Sequence, residues 1–213
     1  GGFYKTMNHL IEYNGMERLT PSAVAWEENI SKGKGISYGA ECEAAYDKGP
    51  VSLHVSYTLA WSKRFFPDFY DGWFLDKFDN RHTLNASLNC SLGKKVDFYA
   101  LWRFHSGNRF TLPQQIVSAP LMPDEEIAPA DFLLYDVPNN AALPAYHRLD
   151  CGVRYRKPMK KGREQIWDVS IYNMYARHNA FYAEQVLNPD GTVGWKTVGG
   201  LPFFPSLCYT IKF

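Results

Sequence analysis

Ser206-Leu207-Cys208-Tyr209-Thr210-Ile211-Lys212-Phe213 alternates residue by residue and stops on an aromatic side chain. Successive side chains of a β-strand face opposite sides of a sheet. Leu207, Tyr209, Ile211 and Phe213 therefore share one face, and Ser206, Cys208, Thr210 and Lys212 share the other. A water-soluble sheet buries such an apolar face against a second layer. A transmembrane β-barrel presents the same pattern with lipid outside and water or a plug inside.

The alternation recurs upstream. Val51, Leu53, Val55, Tyr57, Leu59 and Trp61 oppose Ser52, His54, Ser56, Thr58, Ala60 and Ser62. Leu84, Ala86, Leu88, Cys90 and Leu92 oppose Asn85, Ser87, Asn89 and Ser91. Ile36, Tyr38, Ala40, Cys42 and Ala44 stand against Ser37, Gly39, Glu41, Glu43 and Asp47, and Leu149, Cys151, Val153 and Tyr155 against Arg148, Asp150, Gly152, Arg154 and Arg156. Each run has a period of two and none has helical spacing. The pattern predicts an all-β chain with about eight strands, at Phe3–Tyr13, Ile36–Asp47, Val51–Arg64, His82–Leu92, Val96–Phe110, Tyr146–Lys157, Ile166–Val186 and Val193–Phe213. Lys5, His9 and Glu12 blur the first of these. The last two should form a long hairpin turning at Asn188-Pro189-Asp190-Gly191, where Asp-Gly supplies positive-φ turn chemistry.

Connections alternate in length as sharply as the side chains do. Short polar turns sit at Tyr46-Asp47-Lys48-Gly49-Pro50, Gly93-Lys94-Lys95 and Lys160-Lys161-Gly162-Arg163, and long aromatic, Pro-rich stretches run over Phe65–Asn80 and Leu112–Leu143. Tight turns at one end and long loops at the other are the layout of an outer-membrane barrel. A loop as long as Leu112–Leu143 would count against a compact soluble domain.

Composition narrows the functional classes. The 213 residues carry 23 basic and 22 acidic side chains, with no basic run for a nucleic acid to contact. Aromatic residues make up 16%, including 14 Tyr and 6 Trp, the types that favour membrane interfaces. No stretch approaches about twenty apolar residues, so no transmembrane helix is expected, and no signal peptide precedes the first strand. Cys42, Cys90, Cys151 and Cys208 lie far apart without a CxxC pair, and three of them fall on apolar strand faces.

Candidate chemistry is sparse. His9, His54, His82, His105, His147 and His178 are scattered singly, without the spacing of a zinc site. Asp68, Asp71, Asp76 and Asp79 crowd one connection and offer oxygen ligands for calcium, but lack EF-hand spacing, so a solvated loop is the plainer reading. No GxSxG elbow or triad signature occurs; His105 with Ser106, or Ser56 near His54, would be the places for a dispersed hydrolytic site. The chain is therefore read as a non-enzyme with no cofactor and no metal. Glu41, Glu43, Arg103, Arg148, Asp150 and Arg154 would be costly against lipid, where an arginine at the midplane costs about 2–4 kcal/mol. These six are expected to face a wet lumen or a plug, with cross-strand ion pairs among them.

A family resemblance rests on collinear motifs. Tyr4-Lys5-Thr6-Met7, Leu10-Ile11-Glu12-Tyr13, Gly35-Ile36-Ser37-Tyr38-Gly39-Ala40-Glu41 and Ser56-Tyr57-Thr58-Leu59-Ala60-Trp61-Ser62 come first. Trp73-Phe74, Asp79-Asn80-Arg81-His82, Ser106-Gly107-Asn108, Pro144-Ala145-Tyr146-His147-Arg148-Leu149-Asp150 and Ser170-Ile171-Tyr172-Asn173-Met174-Tyr175 follow, with Pro205-Ser206 to Phe213 at the end. Over essentially the whole chain this series resembles the late barrel strands of TonB-dependent outer-membrane receptors, closest to the Bacteroidetes type. The resemblance implies an up-and-down antiparallel barrel of about 22 strands, of which residues 1–213 would form the final third, without the plug domain through which TonB acts. It implies the outer membrane of a Gram-negative bacterium, outer-membrane lipid and the barrel-assembly machinery as partners, and Tyr209, Ile211 and Phe213 as the assembly signal. Its ligand would be a bulky nutrient of the siderophore, glycan or peptide class, with Tyr70, Trp73, Phe74, Phe132 and Tyr135 as candidate contacts; packing of the loops against each other is the plainer role for these rings.

Two other readings stay open at this point. One is a self-contained barrel of about eight strands, whose lumen side chains would fill. The other is a soluble β-barrel or sandwich binding protein with the apolar face inward. A period of two says which residues share a face and not which face is wet.

Overall fold

The structure, a computed structural model, describes residues 1–13, 30–68, 70–113, 115–118, 131–134, 136–187 and 193–213. Its strands are β1 (Gly2–Tyr13), β2 (Ile30–Lys48), β3 (Val51–Phe65), β4 (Trp73–Leu75), β5 (His82–Leu92), β6 (Val96–His105), β7 (Arg109–Phe110) and β8 (Gln115–Ser118). There follow β9 (Asp131–Leu134), β10 (Ala141–Ala142), β11 (Tyr146–Pro158), β12 (Glu164–Tyr172), β13 (Ala180–Leu187), β14 (Val193–Gly199) and β15 (Phe204–Lys212). The fold is all-β and antiparallel. No helix among the described residues is long and apolar enough to cross a membrane.

Eight long strands form one meander in the order β1-β2-β3-β5-β6-β11-β12-β15, with the short β4 added to β3. The turns β2–β3, β5–β6 and β11–β12 are tight, and each places a glycine (Gly49, Gly93, Gly162) at positive φ, where an L side chain would be strained. All three turns lie at one end of the sheet. The long connections lie at the other, where β7 pairs β10, β8 pairs β9 and β13 pairs β14 in small separate ladders.

Four expectations need correction. β2 begins at Ile30 rather than Ile36. The strand expected over Val96–Phe110 stops at His105, and Arg109–Phe110 is a separate piece. The hairpin expected over Ile166–Val186 and Val193–Phe213 is broken into β12, β13, β14 and β15, because Asn173 and Ala176 adopt positive φ and end β12. β13 and β14 do pair, and the turn at 188–191 between them lies outside the described residues. Finally, the blurred first strand contains a bulge: the register shifts between Met7 and Leu10, with His9 at φ 57°. A bulge adds one residue and reverses the facing of those beyond it, which a strict period of two misses.

The ladder fixes two continuous faces. One row of directly opposed residues reads Tyr46, Leu53, Leu88, Ala100, Cys151, Ile171. The adjacent row on the other face reads Asp47, Ser52, Asn89, Tyr99, Gly152, Ser170, Ser206. This row crosses β2 one residue before its end at Lys48, and β12 at Ser170, six residues beyond its start at Glu164. The stagger is five residues over five strand spacings, or about 17 Å against about 24 Å, so the strands lean by about 35° from the normal to the line of turns.

No closed barrel is formed: among the described residues β1 and β15 are not paired to each other, and each presents a free edge. Among the described residues no second layer covers either face. Among the described residues the buried hydrophobic side chains are Phe66, Phe74, Leu143 and Cys151; Phe66 and Leu143 lie in connections and Phe74 in the short β4 at the end of the sheet.

Candidate functional site

The apolar face is continuous and uncharged over its central span. Beyond the central row it carries Ala44, Val55, Ala86, Trp102 and Leu149 on one side, and Val51, Cys90, Phe98, Val153, Val169 and Leu207 on the other. Among the described residues of the sheet, Lys and His side chains enter this face only at its margins, Lys48 and Lys157 toward the turns, and Lys32, Lys34, Lys63, His82 and His147 toward the long connections, and no Arg, Asp or Glu does. Leu207 is 66% and Val169 53% exposed, while Tyr57, Leu59 and Leu88 are half-buried only by their neighbours in the sheet. Aromatic rings collect at both margins. Tyr4, Tyr38 and Trp61 stack in a line across three strands, and Trp167 lies against Tyr209 at 4.5 Å near the turns. Ile211 continues this face opposite Gln165, and Phe213 is almost wholly exposed beneath the guanidinium of Arg163.

The opposite face is polar and cross-linked by ion pairs. Arg154 stands in register between Asp97 and Asp168; it bonds Asp168 at 2.9 Å, and Arg156 reaches diagonally to Asp97. The phenol end of Tyr99 lies over Gly152 and its hydroxyl donates to Asp168 at 2.6 Å. Glu43 meets His54 at 2.7 Å, and Lys212 is 3.9 Å from Glu164. Arg148 bonds Asp150 at 2.7 Å, donates to the Tyr146 hydroxyl at 3.0 Å and stacks on Tyr172 at 4.0 Å. Of the six polar residues singled out in the sequence, Glu43, Arg148, Asp150 and Arg154 are thus engaged, while Glu41 and Arg103 are exposed. All six share this face. Asp97, Asp168 and Tyr99 were missed, since their partnership with Arg154 and Arg156 is visible only once the register is known.

At the long-connection end the loops are pinned by side chains. Phe66 and Phe74 are buried together, with Tyr70 edge-on to Phe74 at 6.0 Å. Trp73 is 46% exposed beside Phe65. Phe74 is thereby committed to packing, while Trp73 presents a ring outward. Phe132 belongs to β9 with its side chain outside the described residues, as is Tyr135 altogether. Asp76 and Asp79 are buried but not as calcium ligands: Asp76 bonds Arg64 at 2.6 Å, and Asp79 accepts from the Ser62 amide at 2.7 Å and from Arg81 at 3.0 Å. His105 Nδ1 bonds the Ser106 carbonyl, while the Ser106 hydroxyl accepts from the His82 amide, so the two do not bond each other side chain to side chain.

Asparagines extend the ladders where backbone pairing stops. The Asn179 amide accepts from His147 N and donates to His147 O, and Asn140 does the same for Leu112. Asn173, 1% exposed, donates its backbone N–H to Asp150 Oδ1 at 2.9 Å, and its side-chain amide donates to the Arg177 carbonyl and accepts from the Arg177 N–H. Set against known proteins, the chain matches no protein-family model, no curated protein and no solved structure. The functional reading therefore rests on the two faces and the loop end.

Proposed function

We propose that this chain is wall and outer loops of a transmembrane β-barrel, the carboxy-terminal portion of an outer-membrane receptor of the TonB-dependent type that takes up a bulky nutrient. The observation that carries the membrane reading is the uncharged apolar face, which no other part of the described chain covers. From Val51 to Trp61 it spans ten residue steps on β3, about 34 Å along the strand, or about 28 Å across once the lean of about 35° is included. That height approximates a hydrocarbon core, and aromatic girdles with charges only beyond them are what a lipid boundary selects.

The polar face supports a wet interior, because it carries the charged side chains, Arg154 and Arg156 paired with Asp168 and Asp97 near the turns, that would be costly against lipid. The lean of the strands lies in the range of barrel walls. The free edges of β1 and β15 favour a wall continued by further strands over a closed barrel of eight. The receptor family itself rests on the collinear motifs, and the uptake role on that resemblance together with the outward ring of Trp73.

Membrane fractionation tests the reading. The full-length natural product is expected in the outer-membrane fraction, resistant to carbonate washing and released by detergent. Recovery as a folded, detergent-independent protein in the soluble fraction would sink it. Nutrient uptake that persists unchanged in cells lacking TonB would remove the receptor assignment and leave the barrel.

A further inference from the structure

The polar face is charge-balanced near the turns and unbalanced toward the long connections. Near the turns, Arg154 and Arg156 meet Asp97 and Asp168. Farther up, Arg103 stands directly opposite Arg148 on the paired strands β6 and β11, and Asp150 is the one carboxylate bonded to either among the described residues. Like charges directly opposed across a ladder destabilise it. Both Asp150 oxygens are engaged: one takes two Arg148 nitrogens, the other the Asn173 backbone N–H. In the row of Arg103, the next acid is Glu43, three strands and about 14 Å away, and it already bonds His54. Arg103 is exposed and has no hydrogen bond or ion pair among the described residues.

Arg148, in contrast, is held rigidly. Its Nε and one terminal nitrogen bond Asp150, the other bonds the Tyr146 hydroxyl, and its plane lies on Tyr172. A guanidinium has five N–H donors, so two remain for something else. Tyr146 is fixed in turn by stacking on His105 at 4.7 Å and 7°. Asn85 stands opposite Arg103 on the far side. A fixed guanidinium next to a free one suits an oxyanion, which two forks of donors can bind together.

We propose that Arg103 and Arg148, with Asn85 and Tyr146 beside them, bind the carboxylate or phosphate group of a small ligand on the polar face. Arg103 supplies the mobile cation and Arg148 the positioned one. The inference deepens the uptake reading above, and rests on it in taking the polar face as the wet side.

The test titrates the detergent-solubilised full-length protein with citrate, with inorganic phosphate and with glucose at constant ionic strength, by calorimetry. Saturable binding of citrate or phosphate is expected, and none of glucose; which anion binds tells carboxylate from phosphate recognition. Arg103→Gln should weaken it about tenfold or more, Arg103→Lys less, and Lys5→Gln, a change of another cation on the same face, not at all. Absence of saturable binding, or equal weakening by Lys5→Gln and Arg103→Gln, overturns the proposal. Fractionation of the same samples separates the two readings. A protein that remains in the membrane but shows no Arg103-dependent binding loses only the anion site, whereas a soluble protein loses the barrel.

Discussion

The two ends of the sheet differ in how they are held. Toward the long connections lie Phe66, Phe74 and Leu143, buried, together with the buried polar residues Ser31, Asp76, Asp79, Asn173 and Asn179. Toward the tight turns nothing comparable exists among the described residues: Tyr46, Leu92, Tyr155, Trp167 and Tyr209 are all substantially exposed. The loop end folds as a thin packed layer with its own small core and its own polar anchors. Among the described residues the turn end has strand pairing, ion pairs and contacts such as Trp167 against Tyr209, but no buried core, so its apolar side chains stay open to whatever lies outside the described chain. On the proposed reading, a bilayer would supply that burial without a second layer of protein.

Substitutions can break or sharpen this contrast. Phe66→Ala removes the one wholly buried aromatic of the loop layer and should cost about 3–5 kcal/mol. Reversible denaturation in detergent would measure it, and a loss under about 1 kcal/mol would mean that the loop layer has no real core. Leu88→Arg, in the middle of the apolar face, should cost about 2–4 kcal/mol when unfolding is followed from liposomes. On a merely water-exposed face the same change would fall within about 0.5 kcal/mol, so this variant asks directly what covers the sheet. Asn173→Ala loses the side-chain hydrogen bonds to Arg177 and Leu201 and leaves an alanine at φ 53°, for about 1–3 kcal/mol. Asn173→Gly loses the bonds but not the backbone fit and should fall short of that. Equal effects, read as the midpoint of protease nicking between β12 and β13, would show that backbone strain is not what ends β12 there.

The sheet was legible because both of its signals are local. Alternation marks a strand from its own residues, and positive-φ glycines mark the turns that fix register between neighbours. Reading failed where one residue changed phase, as at the bulge beside His9, or where a side chain ended a strand by bonding far along the chain. Asn173 ends β12 through Asp150 and Arg177, and no periodicity within Ile166–Val186 reports that. The candidate residues divide along the same line. Facing was readable, so Glu41, Glu43, Arg103, Arg148, Asp150 and Arg154 were grouped before their partners were known. Partnership was not, because Arg154 and Asp168 become neighbours only when β11 and β12 are aligned residue against residue. For the aromatics, nothing local separates Phe74, turned under the loop, from Trp73 beside it, turned out.

The ring of Tyr99 across Gly152 has a consequence for how this chain can change over generations. Any side chain at position 152 would occupy the space where the ring lies, and a slip of one residue would slide Cys151 or Val153 into that space. The two positions therefore form a lock and its keyway: glycine at one is tolerable only while a flat ring fills the other, and the ring is useful only over glycine. A lineage that loses one should soon lose the other, and the alignment of β6 with β11 would then depend on their turns and charges alone.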